Sequence, residues 1–136
     1  MGGGASPAAT ARIVHRALCA AVVTFGVVAF GLRAAGAAPA IAVPALRPAL
    51  LGAAAAALLA GFWFRGRVPP LPTGASEDVW WTANLGRAIP VWALLESSAT
   101  IALVLHFLAA DPLGLLAAAA AFALLLVNGP GRLIDR

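Results

Sequence analysis

Charged residues are scarce in this chain of 136 residues. They make up 10% of it, lysine and tyrosine are absent, and hydrophobic residues make up 62%. A typical soluble domain has about 25% charged residues. This composition excludes an ordinary soluble domain and predicts an integral membrane protein whose main partner is the lipid bilayer.

The residues that build catalytic and metal sites are also few. Cys19 is the only cysteine, which excludes an intramolecular disulfide, and its place in an apolar run favours a small packing residue over a nucleophile. We find no Ser-His-Asp arrangement, no paired carboxylates in a catalytic pattern, no metal-spaced Cys/His group and no phosphate-cradling glycine loop. We therefore expect no enzyme, no metal and no cofactor.

No stretch alternates polar and apolar residues with the period of a strand, which excludes a transmembrane barrel. In lipid the backbone hydrogen bonds must then be made within helices. Four apolar blocks predict an all-α, antiparallel bundle of four transmembrane helices. The predicted helices cover about residues 13–35, 49–64, 77–110 and 112–128, within one domain, residues 13–136. Residues 1–12, rich in glycine and alanine, predict a disordered tail.

The nine arginines lie at the ends of the apolar blocks. Seven of them share one side of the predicted bundle: Arg12, Arg16, Arg65, Arg67, Arg87, Arg132 and Arg136. Only Arg33 and Arg47 lie on the other side. The positive-inside rule then predicts that both termini lie in the cytoplasm. This placement accounts for the net charge of +4 without a nucleic-acid partner.

The first apolar block has a second interpretation, a secretory signal peptide. The segment RIVHR resembles a basic n-region, and Ala35-Gly36-Ala37 resembles a cleavage site. Its uncharged centre, residues 17–32, is slightly longer than the roughly 7–15 residues of a signal peptide. An uncleaved helix is the favoured interpretation.

The four tryptophans, Trp63, Trp80, Trp81 and Trp92, cluster toward the predicted cytoplasmic side. Indole rings often lie at the headgroup level of a membrane, where the ring is half in lipid and its N–H is hydrated. We expect these residues to be interfacial anchors.

Glu96 is the one carboxylate within a run of 23 residues from Ala88 to Ala110. A charged side chain near the bilayer midplane costs at least ~2.5 kcal/mol, so it usually faces a bundle interior or a cavity. Thr100 lies one helical turn from Glu96 on the same face, and Ser97 extends the polar zone. These three residues form a candidate intramembrane polar site.

The first predicted helix offers the partners for Glu96: Thr24 near its middle, and Arg16 with His15 at its cytoplasmic end. The Cα atoms of Arg16 and Glu96 should differ by ~7–8 Å in depth, which two long side chains can span if the helices are neighbours. His106 lies ~15 Å along the helix from Glu96, too far to share a proton or a metal. His15 and His106 are therefore secondary candidates.

Small residues recur every fourth position in the second predicted helix. They form two stripes: Gly52, Ala56, Ala60 and Ala53, Ala57, Gly61. Such spacing lets helix backbones approach closely. It predicts a buried helix and a candidate face for a homo-oligomer or a membrane-complex partner.

Two segments carry a resemblance. RIVHRALCAAVVTFGVVAF and RAIPVWALLESSATIALVLHFLAADPLGLL resemble an uncharacterised bacterial family of small four-helix membrane proteins, most specifically at His15, Ala17, Leu18 and the segment Trp92 to Glu96. The family-like glycine after the glutamate is Ser97 here. The resemblance implies architecture rather than activity. Around Glu96 the chain is also similar to the ion-carrying helices of rotary-ATPase proteolipids.

Two functional hypotheses follow for Glu96. In the first, the chain is a non-enzymatic inner-membrane protein with Glu96 as its structural or functional polar centre. In the alternative, it is a proton- or cation-handling, proteolipid-like subunit in which Glu96 alternates between protonated and charged forms.

The arginine distribution generates a prediction of topology. Reporters fused at Arg136 and within the segment from Ala37 to Pro44 should report opposite compartments, with the first in the cytoplasm, because seven of nine arginines lie on that side. A periplasmic C-terminus would contradict the four-span arrangement.

Overall fold

The computed structural model describes residues 5–38 and 44–135, and these residues form helices joined by short connections. In chain order the helices are α1 (Pro7–Ala34), α2 (Leu46–Arg65), α3 (Glu77–Ala109), α4 (Pro112–Val127) and the short α5 (Pro130–Ile134). The first three are long and apolar enough to cross a membrane, and α4 is apolar but shorter. The prediction of an all-helical chain with several apolar helices is confirmed.

The start of α1 corrects one predicted boundary. The helix begins at Pro7, inside the segment predicted as a disordered tail, and Ala11 is fully buried. The Ala8 N–H donates to Asp78 Oδ1 at 3.1 Å. The start of α3 therefore stabilises the first turn of α1, which has few large apolar side chains of its own. Residues 1–4 of the predicted tail, and Arg136, lie outside the described residues.

α3 is the helix against which the others pack. α1 runs parallel to it, with Arg12 bonded to Glu77 near the start of both helices and Arg33 bonded to the Phe107 carbonyl near their ends. α2 and α4 run antiparallel to α3. α1 and α2 make almost no contact with each other, and α4 touches each of them only lightly. The tertiary structure therefore depends on the burial of α3.

α2 packs against α3 through small residues. The Ser98 hydroxyl on α3 donates to the Ala54 carbonyl at 2.8 Å, and a Cβ on Gly61 would lie 3.3 Å from the Leu95 side chain. One of the predicted small-residue stripes thus ends inside the bundle at Gly61. Gly52 on the other stripe is exposed, and a Cβ there would meet nothing within 4 Å.

The approach of α4 to α3 is closest at Gly114. A Cβ at this position would lie 2.8 Å from the Ala102 carbonyl oxygen and 2.9 Å from the His106 amide nitrogen. Asp111 caps α4, accepting the Leu113 N–H at 2.8 Å. The backbone contact at Gly114 has no room for a side chain.

Substituting Gly114→Ala should therefore destabilise the protein. We expect a loss of about 1–3 kcal/mol in the free energy of unfolding, because α4 must move away from α3. The control Gly52→Ala should be neutral or gain up to ~1 kcal/mol from helix propensity. Unfolding of both variants in detergent, followed by circular dichroism, checks this; equal stabilities would contradict the close approach.

Candidate functional site

Glu96 and Thr100 form a hydrogen-bonded pair on α3. The Thr100 hydroxyl donates to Glu96 Oε1 at 2.8 Å, as the one-turn spacing predicts, and both side chains are half-buried, like Ser97. Among residues 5–38 and 44–135, Thr100 is the one side-chain partner of the Glu96 carboxyl. The carboxyl is thus held by its own helix and by no other.

The neighbours of Glu96 on α3 show which side of the helix it occupies. Leu103, next to it on the helical wheel, faces Gly26 of α1, and Ser98 on the far side faces α2. Ala102 and Leu105 face α4 at Gly114. The sector that holds Glu96, Ser97 and Thr100, hereafter the Glu96 face, lies between the α1 and α2 contacts and opposite α4. Since α1 and α2 barely touch, no described helix closes over this face.

The structure corrects the predicted partners of Glu96. Thr24 and Arg16 are both exposed on α1, and neither bonds to Glu96 in the described part of the chain. The inward side of α1 is formed instead by Ala11, His15, Val22 and Ala29. Thr24 and Arg16 fall outside that stripe, so they point away from α3.

A second polar group lies near the start of α1 and the end of α4, the His15–Trp92 cluster, made of His15, Trp92, Leu125 and Asn128. His15 is 8% exposed, and its Nε2 lies 3.0 Å from the Leu125 carbonyl; a carbonyl only accepts, so the proton lies on Nε2. The Trp92 Nε1–H donates to the Asn128 carbonyl at 2.8 Å. The two rings pack edge to face, with centroids 5.3 Å apart. The cluster joins α1, α3 and α4.

Asn128 ends α4 and carries an unsatisfied atom. Its Nδ2 donates to the Leu124 carbonyl at 2.7 Å, whereas its Oδ1 is buried without a hydrogen-bond partner in the described ranges. Next to it, a Cβ on Gly129 would lie 3.3 Å from His15 Cε1. The residues that end α4 therefore also pack against His15. Sequence reasoning did not predict the His15–Trp92 cluster. The observation that could have indicated it is that His15 and Asn128 are polar residues of two apolar helices that lie at the same end of the bundle.

Three of the four tryptophans belong to the core, which corrects their predicted interfacial role. Trp81 and Trp92 are fully buried and Trp80 is 5% exposed. The Trp81 Nε1–H donates to Glu77 Oε1 at 3.2 Å, so hydrogen bonds to protein replace the expected hydration. Trp63, 55% exposed, remains available for an interfacial position.

His106 lies in a separate polar group at the other end of α3. Its Nδ1 is 3.0 Å from the Asp111 carbonyl, and Asp111 forms a salt bridge with Arg47 at 2.9 Å. The Arg33 guanidinium donates to the Phe107 carbonyl at 2.6 Å, near the C-terminal end of α3, where carbonyls lack helical partners.

In the part of the chain that the structure describes, no three His, Cys, Asp or Glu side chains form a metal site.

Substituting Trp92→Phe should weaken the His15–Trp92 cluster. We expect a loss of about 1–3 kcal/mol in stability, because the buried Asn128 carbonyl loses its donor. The matched control Trp63→Phe, at an exposed position, should cost less than about 1 kcal/mol. Thermal unfolding in detergent measures both, and an equal loss would contradict the role of the indole N–H.

We found no match for this chain among family models, curated proteins or solved structures. The functional interpretation therefore rests on the geometry of the Glu96 face and of the His15–Trp92 cluster.

Proposed function

We propose that the chain is a non-enzymatic, four-span protein of the bacterial inner membrane that assembles with a second copy of itself through the Glu96 face. In this proposal both termini lie in the cytoplasm, and α4, although short, spans the membrane like α1, α2 and α3. The observation that carries the proposal is the half-buried carboxyl of Glu96, bonded to Thr100 on a face that no described helix covers.

The cost of exposing Glu96 to lipid supports a protein partner at this face. A carboxyl in hydrocarbon without sufficient hydrogen bonds is expensive, and Glu96 has one partner from its own helix. Three other polar side chains of the core, Ser98, Trp92 and His15, each bond to a neighbouring helix, whereas Asn84 bonds to a carbonyl of its own helix. Among the described residues, no bond to a neighbouring helix is made by the Glu96 carboxyl.

A second copy satisfies this face by symmetry. In an isologous contact the same patch serves both partners, so each Glu96 carboxyl meets the face of the other copy that carries Ser97 and Thr100. The side of α2 turned away from α3 presents Gly52, Ala53 and Ala56, all exposed, and small residues allow the close approach that membrane helices use when they associate. We also propose that the chain is related to the small four-helix membrane proteins that it resembles. His15 and Trp92 are among the residues that carry this resemblance, and the contact between their rings supports it.

The second candidate function is proton or cation handling by a proteolipid-like subunit. It is favoured by the Glu96–Thr100 pair. A hydroxyl can donate a hydrogen bond to a charged carboxylate and can accept one from a protonated carboxyl, so Thr100 can bond to either form of Glu96. In this case the partner at the Glu96 face contributes the rest of an ion path.

Cross-linking tests the self-association. In a Cys19→Ala background, Ser97→Cys should give a covalent dimer with a short bifunctional maleimide in native membranes. Ala123→Cys, exposed on α4 on the opposite side of the bundle, is the control and should give none. A monomer at Ser97→Cys, or equal dimers at both positions, would refute the proposed interface.

Substitutions at Glu96 separate the two functions. Glu96→Leu should weaken the dimer about tenfold, as expected for the loss of one polar contact between membrane helices, whereas Glu96→Gln keeps the hydrogen bonds and should retain the dimer. In reconstituted vesicles, an ion carrier should lose its flux in Glu96→Gln while remaining folded. Wild-type vesicles without flux would exclude the carrier function.

A further inference from the structure

Two arginines line a pocket at the junction of α2 and α3. The pocket has a volume of about 480 Å³ and is bounded by Phe64, Arg67, Gly86, Arg87 and Pro90. Pro90 lies six residues before Glu96, or ~9 Å along α3. The pocket is thus separate from the Glu96 carboxyl and closer to the end of the bundle where α2 stops.

Neither arginine of this pocket has a carboxylate partner in the described ranges, where ion pairs join Arg12 to Glu77 and Arg47 to Asp111. At the turn after α2, backbone N–H groups rather than guanidinium groups bond to the helix-end carbonyls, with the Arg67 N–H donating to Phe64 O at 2.9 Å. The two guanidinium groups therefore remain able to bind an external anion.

The surroundings of Arg67 indicate where this anion lies. Its guanidinium carbon is 3.2 Å from the centroid of the Trp63 ring, and Trp63 is exposed at the end of the apolar α2. An indole beside an arginine at the end of an apolar helix is typical of the membrane–water interface. Phe64 and Pro90 add an apolar wall below the charged rim.

We propose that this pocket binds the phosphate headgroup of one anionic phospholipid, with Arg67 and Arg87 contacting the phosphate and the acyl chains passing over Phe64 into the bilayer. Two arginines without a carboxylate partner in the described ranges, an apolar wall and an exposed tryptophan together favour a lipid over a soluble anion. Basic pockets between helices on the cytoplasmic side bind anionic headgroups. The inference rests on the proposed membrane location but not on self-association.

Two variants test the pocket in different ways. Arg87→Gln removes one charge. Gly86→Leu leaves both arginines in place and fills the pocket, and it should fold normally because a Cβ at Gly86 meets nothing within 4 Å. The control Arg132→Gln removes an exposed arginine of α5 that does not line the pocket.

The experiment measures retention of phosphatidylglycerol by the purified full-length monomer in detergent, using native mass spectrometry, with phosphatidylcholine for comparison. We expect the wild type to retain one phosphatidylglycerol. Arg87→Gln and Gly86→Leu should each bind it about five- to tenfold more weakly, and Arg132→Gln should match the wild type.

Three results would overturn the proposal. Equal losses in Arg132→Gln and Arg87→Gln would indicate general surface charge, and undiminished binding in Gly86→Leu would place the lipid elsewhere. Displacement of the lipid by millimolar inorganic phosphate would indicate a soluble anion site. Because the measurement uses the monomer, a failure of self-association does not affect it.

Discussion

The burial of α3 is the constraint on which the rest of the structure depends. α1, α2 and α4 each contact α3, and they have little contact with one another. α1 packs at Trp92 and Leu103, α2 at Leu95 and Ser98, and α4 at the backbone beside Gly114. Three packed neighbours leave one sector of α3 open, and Glu96 lies in that sector. The position of the polar site is thus a consequence of how the bundle is packed.

Several polar side chains at the two ends of the bundle bond to a neighbouring helix, which distinguishes them from Glu96. At one end His15 and Trp92 bond to carbonyls near the end of α4. At the other end Arg33 bonds to carbonyls of α3, and Arg47 pairs with Asp111. These are the two arginines on the minority side of the predicted topology, and both are engaged by the protein itself.

Local features were predictable from the sequence, and rotation about the helix axes was not. The Glu96–Thr100 bond follows from a spacing of one helical turn, and the Asp111 cap depends on residues next to it in the chain; both bonds are present in the structure. The choice of Thr24 and Arg16 as partners was wrong because α1 is apolar around most of its circumference, so no polar face shows which side turns inward. The tryptophans were misplaced for a related reason: an indole suits an interface and a core equally well, and only its neighbours decide.

The near absence of contact between α1 and α2 also has a consequence for biosynthesis. α1 and α2 are synthesised before α3, and they gain almost nothing by packing together before α3 is made. Each finds its packing partner only when α3 is present. A nascent chain stopped before Glu77 would therefore hold two unassociated helices, and tertiary structure would begin with the third.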